Sequence, residues 1–113
     1  MTGITTHVLD TALGRPARNV GVLLERRSAR GWRVLGRGRT NEDGRVTGLL
    51  PRELSLERGT YRLTFATGAY FKARRSPAFY PEVSVVFEIR DASQHHHVPL
   101  LLSPFGYSTY RGS

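Results

Sequence analysis

The chain contains no cysteine, which excludes a disulfide framework, a thiol nucleophile and a thiolate metal site. It also contains no run of 18 or more apolar residues, so we expect no membrane-spanning helix. The segment Met1-Thr2-Gly3-Ile4 has no charged stretch leading into an apolar one, and we therefore expect no signal peptide and a cytoplasmic location.

The patterns of several enzyme classes are missing as well. The sequence has no glycine-rich phosphate loop, no G-x-S-x-G nucleophile turn and no close pair of carboxylates outside the Glu42-Asp43 turn. It also lacks the H-x-x-x-H spacing that places two zinc ligands on one helix face. Nucleotide-binding proteins, α/β-hydrolases, glycosidases and helical zinc proteases are therefore poorly supported.

Lysine is nearly absent, because 16 of the 17 basic residues are arginines and Lys72 is the single lysine. The net charge of +8 is typical of proteins that bind nucleic acids. However, the arginines are spread along the chain, and the densest groups are Arg26-Arg27 and Arg74-Arg75. Because no clustered stripe with interleaved aromatic residues appears, we expect a solvated arginine-rich surface.

Short β-rich runs separated by turn residues dominate the sequence, and no long helical periodicity is present. At 113 residues, the length predicts a single domain spanning residues 1–113. We predict an all-β sandwich or barrel of eight mostly antiparallel strands, with one short helix over 68–75 and turns at 14–16, 41–44 and 103–106. The predicted strands are 4–9, 19–26, 32–39, 45–49, 61–66, 83–89, 97–102 and 107–111.

The four histidines lie on or directly before two predicted strands, near opposite ends of the chain. His7 faces away from its neighbours on the first strand, where it is either a structural residue or a proton carrier. In the triplet, His95 and His97 share one face and His96 points to the other. The triplet fits a metal site that needs a further ligand, surface histidines on an edge strand, or a catalytic histidine.

Arg45 and the final residues are further candidates. Arg45 follows the Asp43-Gly44 turn and is either one more solvated arginine or a planar, permanently charged donor for a carbonyl-rich or anionic substrate. The chain closes on Tyr110-Arg111-Gly112-Ser113, shortly after an apolar run. Although chain termini are normally frayed, we expect this segment to be docked.

Several of these segments together resemble the transthyretin-like family of 5-hydroxyisourate hydrolases, from residue 4 to residue 113. The closing Tyr110-Arg111-Gly112-Ser113 is typical of the enzymes and is missing from the hormone-carrying transthyretins. The other matching segments are Thr6-His7-Val8-Leu9-Asp10, Gly14-Arg15-Pro16-Ala17, Thr40-Asn41, Asp43-Gly44-Arg45, Tyr61-Arg62-Leu63-Thr64-Phe65, Gly68-Ala69-Tyr70-Phe71, Phe79-Tyr80-Pro81-Glu82-Val83 and His97-Val98-Pro99-Leu100-Leu101-Leu102-Ser103-Pro104.

The resemblance implies a transthyretin-like (prealbumin) β-sandwich of eight strands and one short helix. It also implies a homotetramer with active sites in a channel at the interface between dimers. The catalytic residues that it implies are His7, Arg45 and His97. The residues that it implies for substrate binding are His7, Arg45, Tyr110, Arg111, Gly112 and Ser113. The family often has tyrosine where this chain has His96, a position that we expect to face away from the chemistry.

The resemblance further implies a ring-opening hydrolysis in urate degradation, in which 5-hydroxyisourate gives 2-oxo-4-hydroxy-4-carboxy-5-ureidoimidazoline. His7 and His97 are then expected to share the handling of protons, and Arg45 to stabilise the oxyanion. Which histidine acts as the base is open at this point. No metal or other cofactor is expected, and no nucleic-acid or membrane partner. The competing hypotheses are a carrier without catalysis, a zinc-dependent hydrolase and a basic nucleic-acid module.

Overall fold

The computed structural model describes residues 3–113, which form eight β-strands and one short helix. In chain order the elements are β1 (Gly3–Asp10), β2 (Arg15–Pro16), β3 (Gly21–Ser28), β4 (Gly31–Arg39), β5 (Gly59–Phe65), α1 (Thr67–Ala73), β6 (Val83–Ile89), β7 (His95–Ser103) and β8 (Gly106–Thr109).

The strands form two four-stranded sheets. The first sheet has the order β2-β1-β7-β8, and the second has the order β4-β3-β5-β6. Neighbouring strands are antiparallel except for β1 and β7, which are parallel. The predicted all-β class, with eight mostly antiparallel strands and one short helix, is confirmed.

The core lies between the two sheets and is built by alternation along the strands. In β1 every second residue is buried, and the residues between them are partly exposed. Val8, Leu63, Phe65 and Leu100 are completely buried members of this core. Burial of each such side chain contributes about 1.5–3 kcal/mol. The same alternation determines which side chains of the first sheet face outward.

Buried Asp10 connects the helix to the first sheet. Its carboxylate accepts hydrogen bonds from the Ala12 and Leu13 amides and from the Tyr70 hydroxyl, the last at 2.7 Å. Burial, followed by this hydrogen bond and the Asp10 charge, raises the pKa of Tyr70 to about 12. Tyr70 therefore remains a neutral donor and fixes α1 against the end of β1.

Two short elements differ from the sequence-based expectation. The predicted strand over 45–49 was wrong, because only Arg45 forms a β-bridge, with His7, and Gly48 then adopts a left-handed φ of 68°. The predicted turn at 14–16 instead includes β2, whose Arg15 and Pro16 pair with the last residues of β1. The number of strands is thus as predicted, although one member differs.

The end of the last strand also differs from the prediction. We predicted a strand over 107–111, but β8 ends at Thr109. The chain nevertheless continues in the same register, since Leu100 pairs with Thr109 and His97 pairs with Gly112. The interruption lies opposite Pro99, which has no backbone N–H to donate.

No helix within residues 3–113 is both long and apolar enough to cross a membrane.

Candidate active site

Histidines from both ends of the chain lie on the outer face of the first sheet. Thr5 and His7 belong to the partly exposed residues of β1. In β7, His95 and His97 are partly exposed, whereas His96 is buried. The parallel pairing of the two strands places Thr5 directly opposite His97. The faces that alternation predicted for the histidines are confirmed.

Thr5 lies between two of these imidazoles. Its hydroxyl is 2.7 Å from His97 Nδ1 and 2.8 Å from His95 Nε2. The other ring nitrogen of His95, Nδ1, is buried and has no hydrogen-bond partner among the residues that the structure describes. The hydroxyl group therefore joins the two histidines, which do not bond to each other through these nitrogens.

A tight turn brings Arg45 beside His7. The Asn41 side-chain oxygen accepts hydrogen bonds from the amides of Asp43 and Arg45, at 2.9 and 3.1 Å. Gly44 then adopts a φ of 75°, and a Cβ there would collide with the Val8 carbonyl oxygen. Arg45 consequently pairs with His7 in an antiparallel bridge. Because directly paired residues share a face, the exposed Arg45 lies on the face of His7.

The end of the chain docks along β7 beside His97. The Gly112 amide donates a hydrogen bond of 2.8 Å to the His97 carbonyl oxygen, and the two residues form an isolated bridge. A Cβ at Gly112 would lie 2.5 Å from His97 Cδ2 and 3.3 Å from Pro99 Cγ. The expected docking is confirmed at Gly112, where only a residue without a side chain fits so closely against the imidazole.

The remaining residues of the chain end have different surroundings. Tyr110 is 58% exposed, and Ser113 is also exposed. Arg111 donates a hydrogen bond of 2.9 Å to the Gln94 side chain, and its charge adds to burial, the larger cause, in lowering the pKa of His96. The Arg111 side chain therefore lies near Gln94 and His96 rather than near His97. Of the predicted site residues, His7, Arg45, His97 and Gly112 are brought together.

The electrostatics of the site favour a neutral His97. Burial lowers its pKa below the ordinary value of a histidine, and the charges of Arg45, His7 and His95 lower it further. A neutral imidazole carries one N–H donor and one lone pair, so it can give or accept a proton. At neutral pH, His97 is therefore suited to either role in acid–base chemistry.

The arrangement of donors does not favour a metal ion. Among residues 3–113, no cluster of three histidine, aspartate or glutamate side chains is close enough to hold one. Two ring nitrogens of the triplet, His95 Nε2 and His97 Nδ1, are both engaged with the Thr5 hydroxyl. The hydrogen-bonded network thus occupies the place where the sequence allowed a metal.

Sequence reasoning missed Thr5 and Asn41 as parts of the site. Alternation along β1 places Thr5 on the face of His7, and this signal was available from the sequence alone. The register that puts Thr5 opposite His97 was not available, because it depends on pairing between segments about 90 residues apart. The role of Asn41 was hidden for another reason, since a turn motif does not reveal which residue its side chain will position.

Residues 4–112 match the family model described as the HIUase/Transthyretin family. The chain belongs to this family. It is 46% identical over 110 residues to a 5-hydroxyisourate hydrolase of Salmonella dublin, covering 97% of this chain and 80% of that protein. It is 50% identical over 112 residues to the 5-hydroxyisourate hydrolase of Mus musculus, covering 97% and 94%. These relatives confirm the prediction that the chain is an enzyme of the family.

Solved structures show the same fold. A 5-hydroxyisourate hydrolase of Klebsiella pneumoniae superposes with a TM-score of 0.84 at 35% identity, covering 97% of this chain and 98% of that chain. Sea bream transthyretin in complex with thyroxine superposes with a TM-score of 0.89 at 31% identity, covering 96% and 93%. The transthyretin-like sandwich predicted from the sequence is therefore confirmed.

Proposed function

We propose that this chain hydrolyses 5-hydroxyisourate at a cyclic amide C–N bond and gives 2-oxo-4-hydroxy-4-carboxy-5-ureidoimidazoline. The observation that carries the proposal is the convergence of four separate segments on one face of the first sheet. They supply His7, Arg45, His97 and Gly112 through the pairing of β1 with β7 and through two isolated bridges. The names of the relatives from Salmonella and mouse supply the substrate.

The two histidines account for the proton transfers of the reaction. The water oxygen bonds to the carbonyl carbon, the C–N bond breaks, and the departing nitrogen takes up a proton. Water is a poor nucleophile at neutral pH, so one histidine accepts its proton while the other supplies a proton to the nitrogen. His7 and His97 lie on adjacent strands and on the same face of the sheet, which favours this assignment of one histidine as base and the other as acid.

Arg45 supplies the electrophilic part of the site. Its guanidinium is planar and always charged, so it can bind substrate carbonyls and stabilise the negative charge that develops on the attacked oxygen. We further propose that Tyr110, Gly112 and Ser113 form a wall of the pocket and that Tyr110 hydrogen-bonds the substrate. Arg111 fits a supporting role better, since it binds Gln94 and holds the chain end in place.

We propose that the reaction needs no metal ion. The histidines and Arg45 already provide a base, an acid and an electrophile, which are the parts that a hydrolytic metal would otherwise supply. The hydrogen bonds that join the Thr5 hydroxyl to His95 Nε2 and His97 Nδ1 also engage two of the nitrogens that zinc could bind. Turnover that survives exhaustive treatment with a chelator is the expected result, and loss of turnover that added zinc restores would contradict it.

We propose a homotetramer whose active sites lie at the interface between dimers. In the single protomer, a cavity of about 550 Å³ borders Thr5 and His95, but His7, Arg45 and His97 do not line it. The catalytic face therefore needs a second protomer to enclose a substrate. Exposed aromatic side chains, among them Phe79 (69% exposed) and Phe105 (68% exposed), add apolar surface for such contacts.

The likeness to sea bream transthyretin makes a carrier without catalysis the second candidate. Purified protein is added to freshly generated 5-hydroxyisourate, and the loss of substrate is followed against its slow spontaneous decay. Hydrolysis accelerated by orders of magnitude is expected from the assembled site. Stoichiometric binding of a ligand with no acceleration would favour the carrier, and the His7→Ala variant controls for contaminating activity.

A further inference from the structure

The Thr5 hydroxyl restricts the protons of two histidines at once. A hydroxyl group has a single proton, so it can donate to only one of two ring nitrogens at a time. The nitrogens at hydrogen-bond distance are His95 Nε2, at 2.8 Å, and His97 Nδ1, at 2.7 Å. If both histidines are neutral, Thr5 donates to one of them and accepts an N–H from the other. Only two arrangements satisfy both hydrogen bonds.

The two arrangements differ in what they leave at the far nitrogen of His95. If Thr5 donates to His95, the proton of His95 lies on Nδ1, which is buried and meets no acceptor within residues 3–113. If His95 donates to Thr5, the buried Nδ1 carries only a lone pair. Buried N–H groups without an acceptor are rarer in proteins than acceptors without a donor. The second arrangement is therefore favoured, and in it Thr5 donates its proton to His97 Nδ1.

We propose that Thr5 is a positioning residue which, together with His95, holds His97 in the tautomer that carries its proton on Nε2. In this tautomer the neutral His97 presents its Nε2–H to the departing nitrogen. His7 is then the base that accepts the proton of water, and as the departing nitrogen takes up the Nε2 proton, the proton held by His7 replaces it, so that both rings are neutral after turnover. This assignment of roles rests on the function proposed above, whereas the tautomer of His97 does not depend on it.

Two observations agree with this role. The Gly112 backbone packs directly against the carbon side of the His97 ring, so the ring is held on one side by the chain end and at Nδ1 by Thr5. Burial also lowers the pKa of His97 and keeps the ring neutral, which is the state in which a single tautomer is meaningful. A ring fixed in orientation and tautomer is the usual requirement for an efficient proton donor.

The tautomer can be measured directly in the wild-type protein. Long-range proton–nitrogen NMR spectra at neutral pH distinguish a protonated ring nitrogen from one with a lone pair. We expect His97 to show a protonated Nε2 and a bare Nδ1, and His95 to show a protonated Nε2 as well. A His97 ring with its proton on Nδ1 would overturn the proposal, whether or not the protein hydrolyses 5-hydroxyisourate.

Matched variants test the effect on catalysis. Thr5→Val keeps the shape of the side chain but removes the hydroxyl, and we expect kcat to fall by about 10–100-fold with little change in KM. Thr5→Ser restores the hydroxyl and most of the rate. His95→Gln, which retains an N–H donor, should be more active than His95→Leu. Full activity and an unchanged His97 tautomer in Thr5→Val would contradict the proposal.

The two proposals fail in distinguishable ways. Wild-type protein that does not hydrolyse 5-hydroxyisourate, but has His97 protonated on Nε2, would contradict the function and support the positioning role of Thr5. Active wild-type protein with an equally active Thr5→Val variant would support the function and contradict the role of Thr5.

Discussion

At the residue scale, His7 and His97 are expected to act as one unit. Each single substitution, His7→Ala or His97→Ala, should lower turnover by about 10²–10⁴-fold, because one of the two proton transfers loses its carrier. The double variant should lose far less than the product of the two effects, since groups that act together are not additive. Steady-state kinetics and circular dichroism on all three variants check this prediction, and independent, fully additive losses would contradict it.

His96 is expected to matter for stability rather than for catalysis. It is only 5% exposed, faces the interior, and has a buried Nδ1 for which residues 3–113 supply no hydrogen-bond partner. His96→Ala should lower the free energy of unfolding by about 2 kcal/mol through the cavity that it leaves, while turnover stays near that of the wild type. The matched control is His96→Phe, which fills the site with an aromatic ring that has no nitrogen. Loss of turnover as large as that of His97→Ala would show that His96 belongs to the site.

The same residue makes stability depend on pH. Burial, followed by the charge of Arg111, lowers the pKa of His96 in the folded protein, although the Gln94 backbone and then the charge of Asp91 act in the opposite direction. As the pH falls below about 6.5, the unfolded chain therefore takes up protons that the folded protein resists, and stability decreases. His97 contributes with the same sign. Denaturant unfolding between pH 5 and pH 7 should show this decrease, and His96→Phe should make it smaller.

At the scale of elements, the Asn41 turn determines where Arg45 lies. Asn41→Ala removes an acceptor from two backbone amides, and we expect it to lower the free energy of unfolding by about 1–2 kcal/mol. Turnover should fall further than stability alone explains, because the displaced Arg45 no longer stabilises the oxyanion. Asn41→Asp retains an acceptor oxygen and is the control. Wild-type kinetics in a folded Asn41→Ala variant would show that the turn does not position Arg45 for catalysis.

The chain end is the second element that the proposed site requires. Deletion of residues 110–113 removes Gly112 from its contact with His97 and removes the proposed pocket wall. We expect hydrolysis to be abolished while the oligomer and the β-sheet spectrum survive, as measured by light scattering and circular dichroism. Arg45→Lys is a matched comparison, since it keeps the charge and loses the planar fork of donors. A truncated protein with the full rate would defeat the pocket role.

At the scale of the whole molecule, the proposal requires an oligomer. The histidines proposed to be catalytic lie on an outward face of the first sheet, and in the proposal a second protomer covers them and excludes water from around the substrate. Light scattering at micromolar concentration should therefore give about four times the chain mass of 12.7 kDa. A stable monomer that retains full activity would contradict both the tetramer and the position of its sites.

Much of the candidate site was predictable because strand alternation and turn residues can be recognised from short stretches of sequence. Alternation along two strands placed His7, His95 and His97 on outward faces, and the Asn41 to Gly44 turn was visible from its residue types. Local signals failed at the short elements. The segment over 45–49 has apolar residues at positions typical of a strand. However, it forms a single bridge at Arg45, and Gly48 then adopts a left-handed φ that ends the extended conformation.

The interstrand contacts were decided by the tertiary structure. Residue types determine which side of a strand a histidine occupies, because the side-chain alternation is a property of the extended backbone itself. They do not determine that Thr5 lies opposite His97, since the register of β1 with β7 depends on how core side chains pack across the sheets. The direction of Arg111 toward Gln94 is likewise a result of packing. The faces of the histidines could thus be predicted from the sequence, whereas the hydroxyl group that links His95 and His97 could be identified only in the folded structure.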